Sequence, residues 1–342
     1  MRIQTQRYLA WAIWTTLVIV ILYMIAEPVW RPYYTTFERQ ETEFGVTFST
    51  KYTEELGLEV EPTYSATLID LGVNLLRIPV YWDEIEQQEG VYELSQIEWM
   101  LDQAEVADAK VILAVGQRVP RWPECHPPSW TDDLSRDQVE SYELAMVETI
   151  VTRFKDHPAL YRWQVHNEGF FAVFGECDTP NPEFIAHSVK RVRALDPHHE
   201  IMTTDSGELS TWLQTSALVD TLGVSVYRTT WNTWFGYFHY PIPSVFYRLK
   251  AMVVSPALTE QVIVSELQAE PWVPGQYDHV SEVPVEEQYR SMSPERFAQN
   301  VKYAESIGFS ETLLWGVEWW YWLKVDQNEP VMWEIAKRVF SR

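Results

Sequence analysis

The sequence predicts an α/β protein, a closed (β/α)8 TIM barrel, preceded by one N-terminal transmembrane helix. Three observations carry that expectation. From residue 44 onward, short apolar or β-branched runs alternate with helix-length amphipathic segments, eight pairs over about three hundred residues, and such alternation builds a parallel sheet. The chain has 342 residues, enough for one complete barrel, with no shift in composition after residue 40. No Gly-x-Gly-x-x-Gly or phosphate-binding loop follows the first strand, which argues against the alternative, an open doubly wound sheet.

The N-terminal segment is a different material. Tyr8 to Ala26 carries no charged side chain, Arg2 and Arg7 precede it, and Glu27 follows it. Roughly twenty apolar residues cross a bilayer core as a helix, and the positive-inside rule keeps residues 1–7 in the cytoplasm and sends the bulk of the chain outside. The expected organisation is a cytoplasmic N-terminus over 1–7, a single-pass signal anchor in the cell membrane over 8–27, a linker over 28–43, and the barrel domain over 44–342. A cleaved signal peptide is the rival reading, but Met24-Ile-Ala26 is a poor match to the small-x-small site that ends such a peptide.

The elements of the barrel follow in order. Gly45-Val-Thr-Phe-Ser49 reads as the first strand, Thr63 to Leu71 as a helix, and Asn74 to Val80 as the second strand. Gln96 to Ala107 has helical spacing and Lys110 to Val115 is apolar and β-branched. Arg136 to Lys155 forms a long amphipathic helix ahead of the strand that runs into Glu168. Pro182 to Leu195 starts from Asn181, a cap with Pro at the first helical position. Glu200 to Thr204, a segment around Leu209 to Leu218, Thr221 to Tyr227, and Val245 to Val253 lead to the strand Val262 to Leu267. Ser293 caps a helix reaching Ser306, Glu311 to Trp315 is the last strand, and Val331 to Phe340 closes the chain.

Acidic residues outnumber basic ones, 49 against 26, for a net charge of −23. That field repels nucleic acid, so no nucleic-acid partner is expected, and a neutral or cationic substrate fits better. There are two cysteines, Cys125 and Cys177, both in segments that read as loops after strands. Outside the cytoplasm they could form a disulfide closing a loop of about fifty residues; the other reading is two unrelated thiols. No His-Glu-x-x-His or His-x-His and no Gly-x-Ser-x-Gly elbow occurs, so a metal hydrolase and the common serine hydrolase are disfavoured. No cofactor is implied.

Two glutamates carry the chemistry. Glu168 in Tyr161-Arg-Trp-Gln-Val-His-Asn-Glu-Gly169 and Glu266 in Val262-Ile-Val-Ser-Glu-Leu267 each close a buried run, so each carboxyl sits where a strand meets a loop. Two carboxyls brought together there can cleave a glycosidic bond, one protonating the leaving oxygen and the other attacking the sugar carbon. The expected partner is an oligo- or polysaccharide. Part of the surplus of rings, 17 Trp, 18 Tyr and 14 Phe, suits the apolar faces of sugars. In the barrel, Arg77, Glu168, Tyr227, Glu266 and Trp315 fall at the C-terminal ends of strands two, four, six, seven and eight. A cation inside Leu75-Leu-Arg-Ile-Pro79 requires a partner, and beside Glu266 it would orient that carboxylate.

These segments resemble glycoside hydrolase clan A, the retaining β-glycosidases that include the cellulase-like family 5 and the family 42 β-galactosidases. Leu76-Arg-Ile-Pro-Val-Tyr-Trp-Asp-Glu-Ile-Glu86 with Glu89-Gly-Val-Tyr92, Asn167-Glu168, Tyr227, Ser265-Glu266 and Trp315 match the clan's pattern in order, over about residues 44–342. The resemblance implies Glu168 as general acid/base and Glu266 as nucleophile. Asn167 would bind the sugar hydroxyl next to the reacting carbon, Arg77 and Tyr227 would hydrogen-bond Glu266, and Trp315 would floor the site. The chain departs from many relatives at Gly169, where they have Pro, and Trp319 competes with Trp315 for the floor. Glu318 is an acidic rival ranked below Glu266, because its Trp-rich neighbours after the last strand read as a loop platform. His166 is taken as a substrate contact, with a satisfied core histidine as the competing reading, and His126 as a weaker candidate for the cleft wall. An envelope-glycan transglycosidase would share every catalytic residue, and a non-catalytic glycan-binding barrel is the third possibility.

Overall fold

Eight parallel strands close into a barrel, each paired with the next and the last with the first. They are β1 (Glu43–Thr47), β2 (Leu75–Pro79), β3 (Lys110–Val115), β4 (Leu160–Val165), β5 (Glu200–Asp205), β6 (Thr221–Val226), β7 (Gln261–Gln268) and β8 (Glu311–Trp315). The computed structural model describes residues 41–171, 173–255, 257–277 and 279–341. The expected anchor over 8–27 and nearly all of the linker lie outside the described residues. Among the described residues no helix is long and apolar enough to cross a membrane.

Alternation along each strand sorts side chains between two cores. Leu75, Ile112, Met202, Ile263 and Leu313 fill the barrel interior. Their neighbours in sequence, such as Leu76, Val111, Val264 and Leu314, pack outward against the helices. Gly223 lies at a crowded level of the interior: a Cβ there would approach Ser265 Cβ to 2.7 Å and Met202 Cε to 2.8 Å. Arg162 on β4 is fully buried and pairs with Glu311 at 2.9 Å and Glu200 at 2.8 Å, which supplies the compensating charge that a cation among strands needs.

Local signals set the helix starts. Asn181 accepts from the Phe184 N–H ahead of Pro182–Leu195, and Ser293 from the Arg296 N–H ahead of Pro294–Ile307, each with Pro in the first turn. Ser135 and Gln138 form a capping box for Arg136–Phe154. Two regions differ from expectation. The Trp-rich stretch after β8, read as a loop platform, is a helix, Val317–Val325, that buries Trp319, Trp320 and Trp322; a helix covered on most sides shows no amphipathic period. Leu209 to Leu218 yields a single helical turn, Leu213–Ser216. After β6 the chain also makes an antiparallel hairpin, Thr229–Asn232 with Gly236–His239.

Cys125 and Cys177 form a disulfide that ties the loop after β3 to the loop after β4. Of the two readings open from sequence, the structure has the bonded one.

Candidate active site

Strand ends bring five of the candidate residues to one cleft. Asn167, Glu168, Tyr227, Glu266 and Trp315 line a cavity of about 610 Å³ at the C-terminal mouth of the barrel. Arg77 is fully buried beneath it and holds its parts together. Its guanidinium donates to Glu266 Oε1 at 3.0 Å, Asn167 Oδ1 at 2.6 Å, Gln164 Oε1 at 2.6 Å and the Ser265 carbonyl at 3.2 Å. The charge that looked costly in Leu-Leu-Arg-Ile-Pro is thereby compensated. Tyr227 donates to the other oxygen, Glu266 Oε2, at 3.1 Å. Burial, then the charge of Glu266, holds the Tyr227 hydroxyl well above its ordinary range, so it stays a donor.

Glu266 is aimed by an irregularity in β7. Val264 pairs with Val224, but the next pair is Glu266 with Ser225, so Ser265 is an extra residue on this strand. The pairing with β8 is irregular over the same stretch. A bulge breaks the two-residue alternation and re-aims the side chain after it.

Glu168 leaves β4 through strained backbone, with φ +59° at His166 and +46° at Glu168. Non-glycine residues rarely occupy that region, and such outliers gather at functional sites. The Glu168 N–H is held by Thr204 Oγ1 at 2.8 Å, and Ser225 Oγ donates to Glu168 Oε1 at 2.8 Å. Burial first, then the charges of Glu266 and Glu124, raise the Glu168 carboxyl well above its ordinary pKa. Of the two glutamates singled out from sequence, Glu266 is thus in an ion pair and Glu168 retains its proton, the division of labour that acid-assisted displacement needs.

Trp315 projects into the cleft and donates through Nε1 to Glu270 Oε1 at 2.7 Å. Glu270 is clamped by Arg121 at 2.6 and 2.8 Å, and the Arg121 guanidinium lies over the Trp315 ring at 4.5 Å. Trp319 is fully buried, donates to Gln288 Oε1, and does not line the cleft. Glu318 is also outside it: fully buried, it accepts from the Ser49 N–H and Arg121, with its pKa pushed up to about 7 by burial. Gly169 packs against Ile185, whose Cδ1 would lie 3.0 Å from a Cβ there.

His166 is not on the cleft wall. Its side chain lines a separate cavity of about 80 Å³ behind the Asn167-Glu168 segment. There Nδ1 lies 3.5 Å from Glu143 Oε1. That is ion-pair distance, yet burial pushes His166 down to about 4 and Glu143 up to about 8, so both are neutral near pH 7. The reversed direction follows from the positive φ at His166, which turns it out of the strand's alternation. His126 is buried edge-on to Tyr81, with ring centroids 4.7 Å apart, and does not line the cleft. Among the Trp residues of the loops, Trp122 and Trp272 line it, Trp130 packs on Trp82 and Tyr142, and Trp234 stands 88% exposed.

Sequence reasoning passed over Glu124 and the Arg121–Glu270 pair. Glu124 lines the same cleft and accepts from Asn167 Nδ2 at 2.8 Å. Burial, then the charge of Glu266, pushes it up to about 8. Acidic residues in loops ordinarily face solvent, and only the disulfide next to Glu124 hinted that this loop was fixed.

The family model described as Cellulase (glycosyl hydrolase family 5) matches residues 38–240. No curated protein sequence matches. Among solved structures, GH5_18 from Streptomyces cattleya, in complex with GlcNAc, superposes with TM-score 0.55 at 14% identity, covering 81% of this chain and 71% of that one. Xylanase 10B from Thermotoga maritima gives 0.56 at 15%, covering 87% and 95%. The β-galactosidase from the Antarctic haloarchaeon Halorubrum lacusprofundi gives 0.54 at 14%, covering 80% and 52%. At these identities the likeness is one of fold.

Proposed function

For a chain that belongs to the cellulase family, glycosyl hydrolase family 5, and is therefore a glycosidase of clan A, we propose a retaining mechanism on a β-linked saccharide with Glu266 as nucleophile and Glu168 as acid/base. The observation that carries the reading is the unequal environment of the two carboxyls. Glu266 is paired with Arg77 at 3.0 Å, whereas burial and neighbouring charge hold the proton on Glu168. In the first step Glu266 attacks the anomeric carbon as the glycosidic C–O bond breaks, and the Glu168 proton passes to the leaving oxygen. In the second, Glu168 takes a proton from water, the water oxygen bonds to the anomeric carbon, and the Glu266 ester bond breaks.

The test is covalent labelling. Cyclitol epoxides of several sugar configurations, which keep the hydroxyl next to the reacting carbon, are incubated with the enzyme, followed by peptide mapping. An adduct on Glu266 is expected. Labelling of another carboxyl, or none with any configuration, would overturn the assignment.

The wall beside Glu168 favours a second reading. Trp122, Phe171, Val173, Phe174 and Leu209 make it largely apolar. An apolar acceptor side gives a second sugar ring a surface to stack on, which suits transfer to another glycan, and product analysis with added acceptor separates transfer from hydrolysis.

We also infer an extracytoplasmic enzyme held by residues 8–27. Arg2 and Arg7 before that apolar segment support the orientation, and the Cys125–Cys177 disulfide suits an oxidising compartment. Fractionation tests this: the full chain should stay with membranes through an alkaline wash, and recovery in the soluble fraction would refute the anchor.

A further inference from the structure

The two-glutamate mechanism leaves one buried acid of the cleft without a task, Glu124. It is 4% exposed and its backbone has φ +75°, a conformation glutamate seldom adopts. Several restraints impose it. The Glu124 N–H donates to the Arg121 carbonyl at 2.6 Å, and its carbonyl accepts from the Val119 N–H at 2.9 Å. The next residue, Cys125, is bonded to Cys177. Gly175 packs so closely that a Cβ there would lie 2.9 Å from Glu124 Cβ. Strain maintained by this many contacts is characteristic of a functional position.

What Glu124 faces follows from its partner. Asn167 Oδ1 is saturated, accepting from Arg77 at 2.6 Å, Thr204 Oγ1 at 2.7 Å and Gln164 Nε2 at 3.3 Å. The amide orientation is thereby set, with Nδ2 turned to Glu124 Oε2 at 2.8 Å. An amide nitrogen has two hydrogens. Among the described residues, the second finds no acceptor and Glu124 Oε1 finds no donor. Both residues line the cleft that holds Glu168 and Glu266. The result is a free donor next to a free carboxyl oxygen, the complement of a hydroxyl, which gives one hydrogen bond and takes others.

The chain fixes which hydroxyl that is. Asn167 adjoins Glu168 in sequence, and Arg77 bridges Asn167 Oδ1 and Glu266 Oε1. The pair therefore lies beside the carbon on which both carboxyls act. Of that carbon's two ring neighbours, the ring oxygen has no hydrogen to give, so the substituent met is the one on carbon 2.

We propose that Glu124 and Asn167 together bind the carbon-2 hydroxyl of the reacting sugar, Asn167 donating to it and Glu124 contacting it through Oε1, so that Glu124 determines specificity for 2-hydroxy sugars. The resemblance drawn from sequence assigns Asn167 alone to that hydroxyl. The inference rests on the glycosidase reading above. Burial holds Glu124 protonated up to about pH 8, and a hydroxyl satisfies the carboxyl in either protonation state because it can take or give the bond.

The test compares matched aryl β-glycosides, 2-hydroxy and 2-deoxy with the same leaving group, in wild type, Glu124→Ala and Glu124→Gln. The readout is the ratio of the two kcat/KM values, which cancels any general loss of activity. A site built to hydrogen-bond a hydroxyl discriminates strongly against its absence, so the ratio should fall about tenfold or more in Glu124→Ala and by less in Glu124→Gln. Glu124→Gln conserves shape and can still accept from Asn167, so it carries the test if the alanine variant does not fold. An unchanged ratio in both variants, with both substrates slowed alike, would overturn the proposal. Wild-type enzyme that is active and labelled on Glu266, yet shows an unchanged ratio in the variants, refutes the role of Glu124 alone. Failure of the wild type to be labelled or to turn over either substrate refutes the glycosidase reading beneath it.

Discussion

Arg77 and Glu266 meet at 3.0 Å although 188 residues lie between them in sequence, and the same guanidinium holds Asn167 and Gln164 at 2.6 Å. One buried fork thus sets the spacing between β2, β4 and β7 at the floor of the cleft. Its planar, multidentate geometry is what a lysine lacks.

Arg77→Met should cost about 3–5 kcal/mol of folding stability, because it leaves a buried carboxylate without its counter-charge. Arg77→Lys should recover part of that stability but little of the activity, since a point charge cannot hold three acceptors in one plane. Denaturant unfolding and steady-state kinetics on the same preparations check both. Wild-type kinetics in Arg77→Lys would refute the positioning argument.

The alkaline limb of activity should follow the Glu168 proton. Glu168 must be protonated to assist departure of the leaving group, and it is raised by burial, Glu266 and Glu124. Above about pH 8, where Glu124 ionises, its charge is one of those that raise Glu168; Glu124→Gln removes it, so the alkaline limb of kcat/KM should move to lower pH. Because the buried acids titrate together, the limb belongs to the group and not to one residue. A limb that stays in place or moves to higher pH contradicts the coupling.

Glu143 makes a prediction about stability. Burial raises it from 4.5 to about 8 in the folded protein. The folded state therefore holds a proton that the unfolded state releases, and this contribution is complete below pH 4.5, is lost as pH rises toward 8, and changes no further above that. Glu143→Gln keeps the volume and the acceptor for the Gln117 N–H. Relative to wild type it should gain stability across that window, by at most about 1.4 kcal/mol per pH unit. Thermal melts of both proteins from pH 5 to 9 test this, and a constant difference would show that Glu143 does not titrate there.

The disulfide should matter to both fold and site. It links residues 52 apart, for which chain entropy gives about 4 kcal/mol. Cys125→Ser with Cys177→Ser should lose roughly that amount in unfolding experiments. The double variant should also lose activity beyond what the melt accounts for, since Glu124 and Glu168 project from the two loops it joins. Unchanged kinetics at a temperature well below the melt would show that the other restraints suffice to hold Glu124.

Much of this was legible in the chain. Alternating runs of β-branched and helical residues gave all eight barrel strands to within a few residues. Pro182 and Pro294 with their Asn and Ser caps marked helix starts, because capping is a contact between residues three apart. Asn167-Glu168 could be assigned to a strand end because strands are short and their ends are punctuated, whereas Arg77 and Ser265-Glu266, also read as strand ends, lie within β2 and β7. The tertiary structure decided what no local window contains. It placed His166 behind the site, through a positive φ that reverses the expected side-chain direction. It aimed Glu266 through a bulge visible only in the pairing of β7 with its neighbours. It turned Glu124, an ordinary loop acid by sequence, into a buried member of the cleft. Periodicity and capping are short-range physics and survive in a one-dimensional reading; the direction of a strained side chain and the protonation of a buried acid depend on neighbours a hundred residues away, and exist only once the barrel has closed.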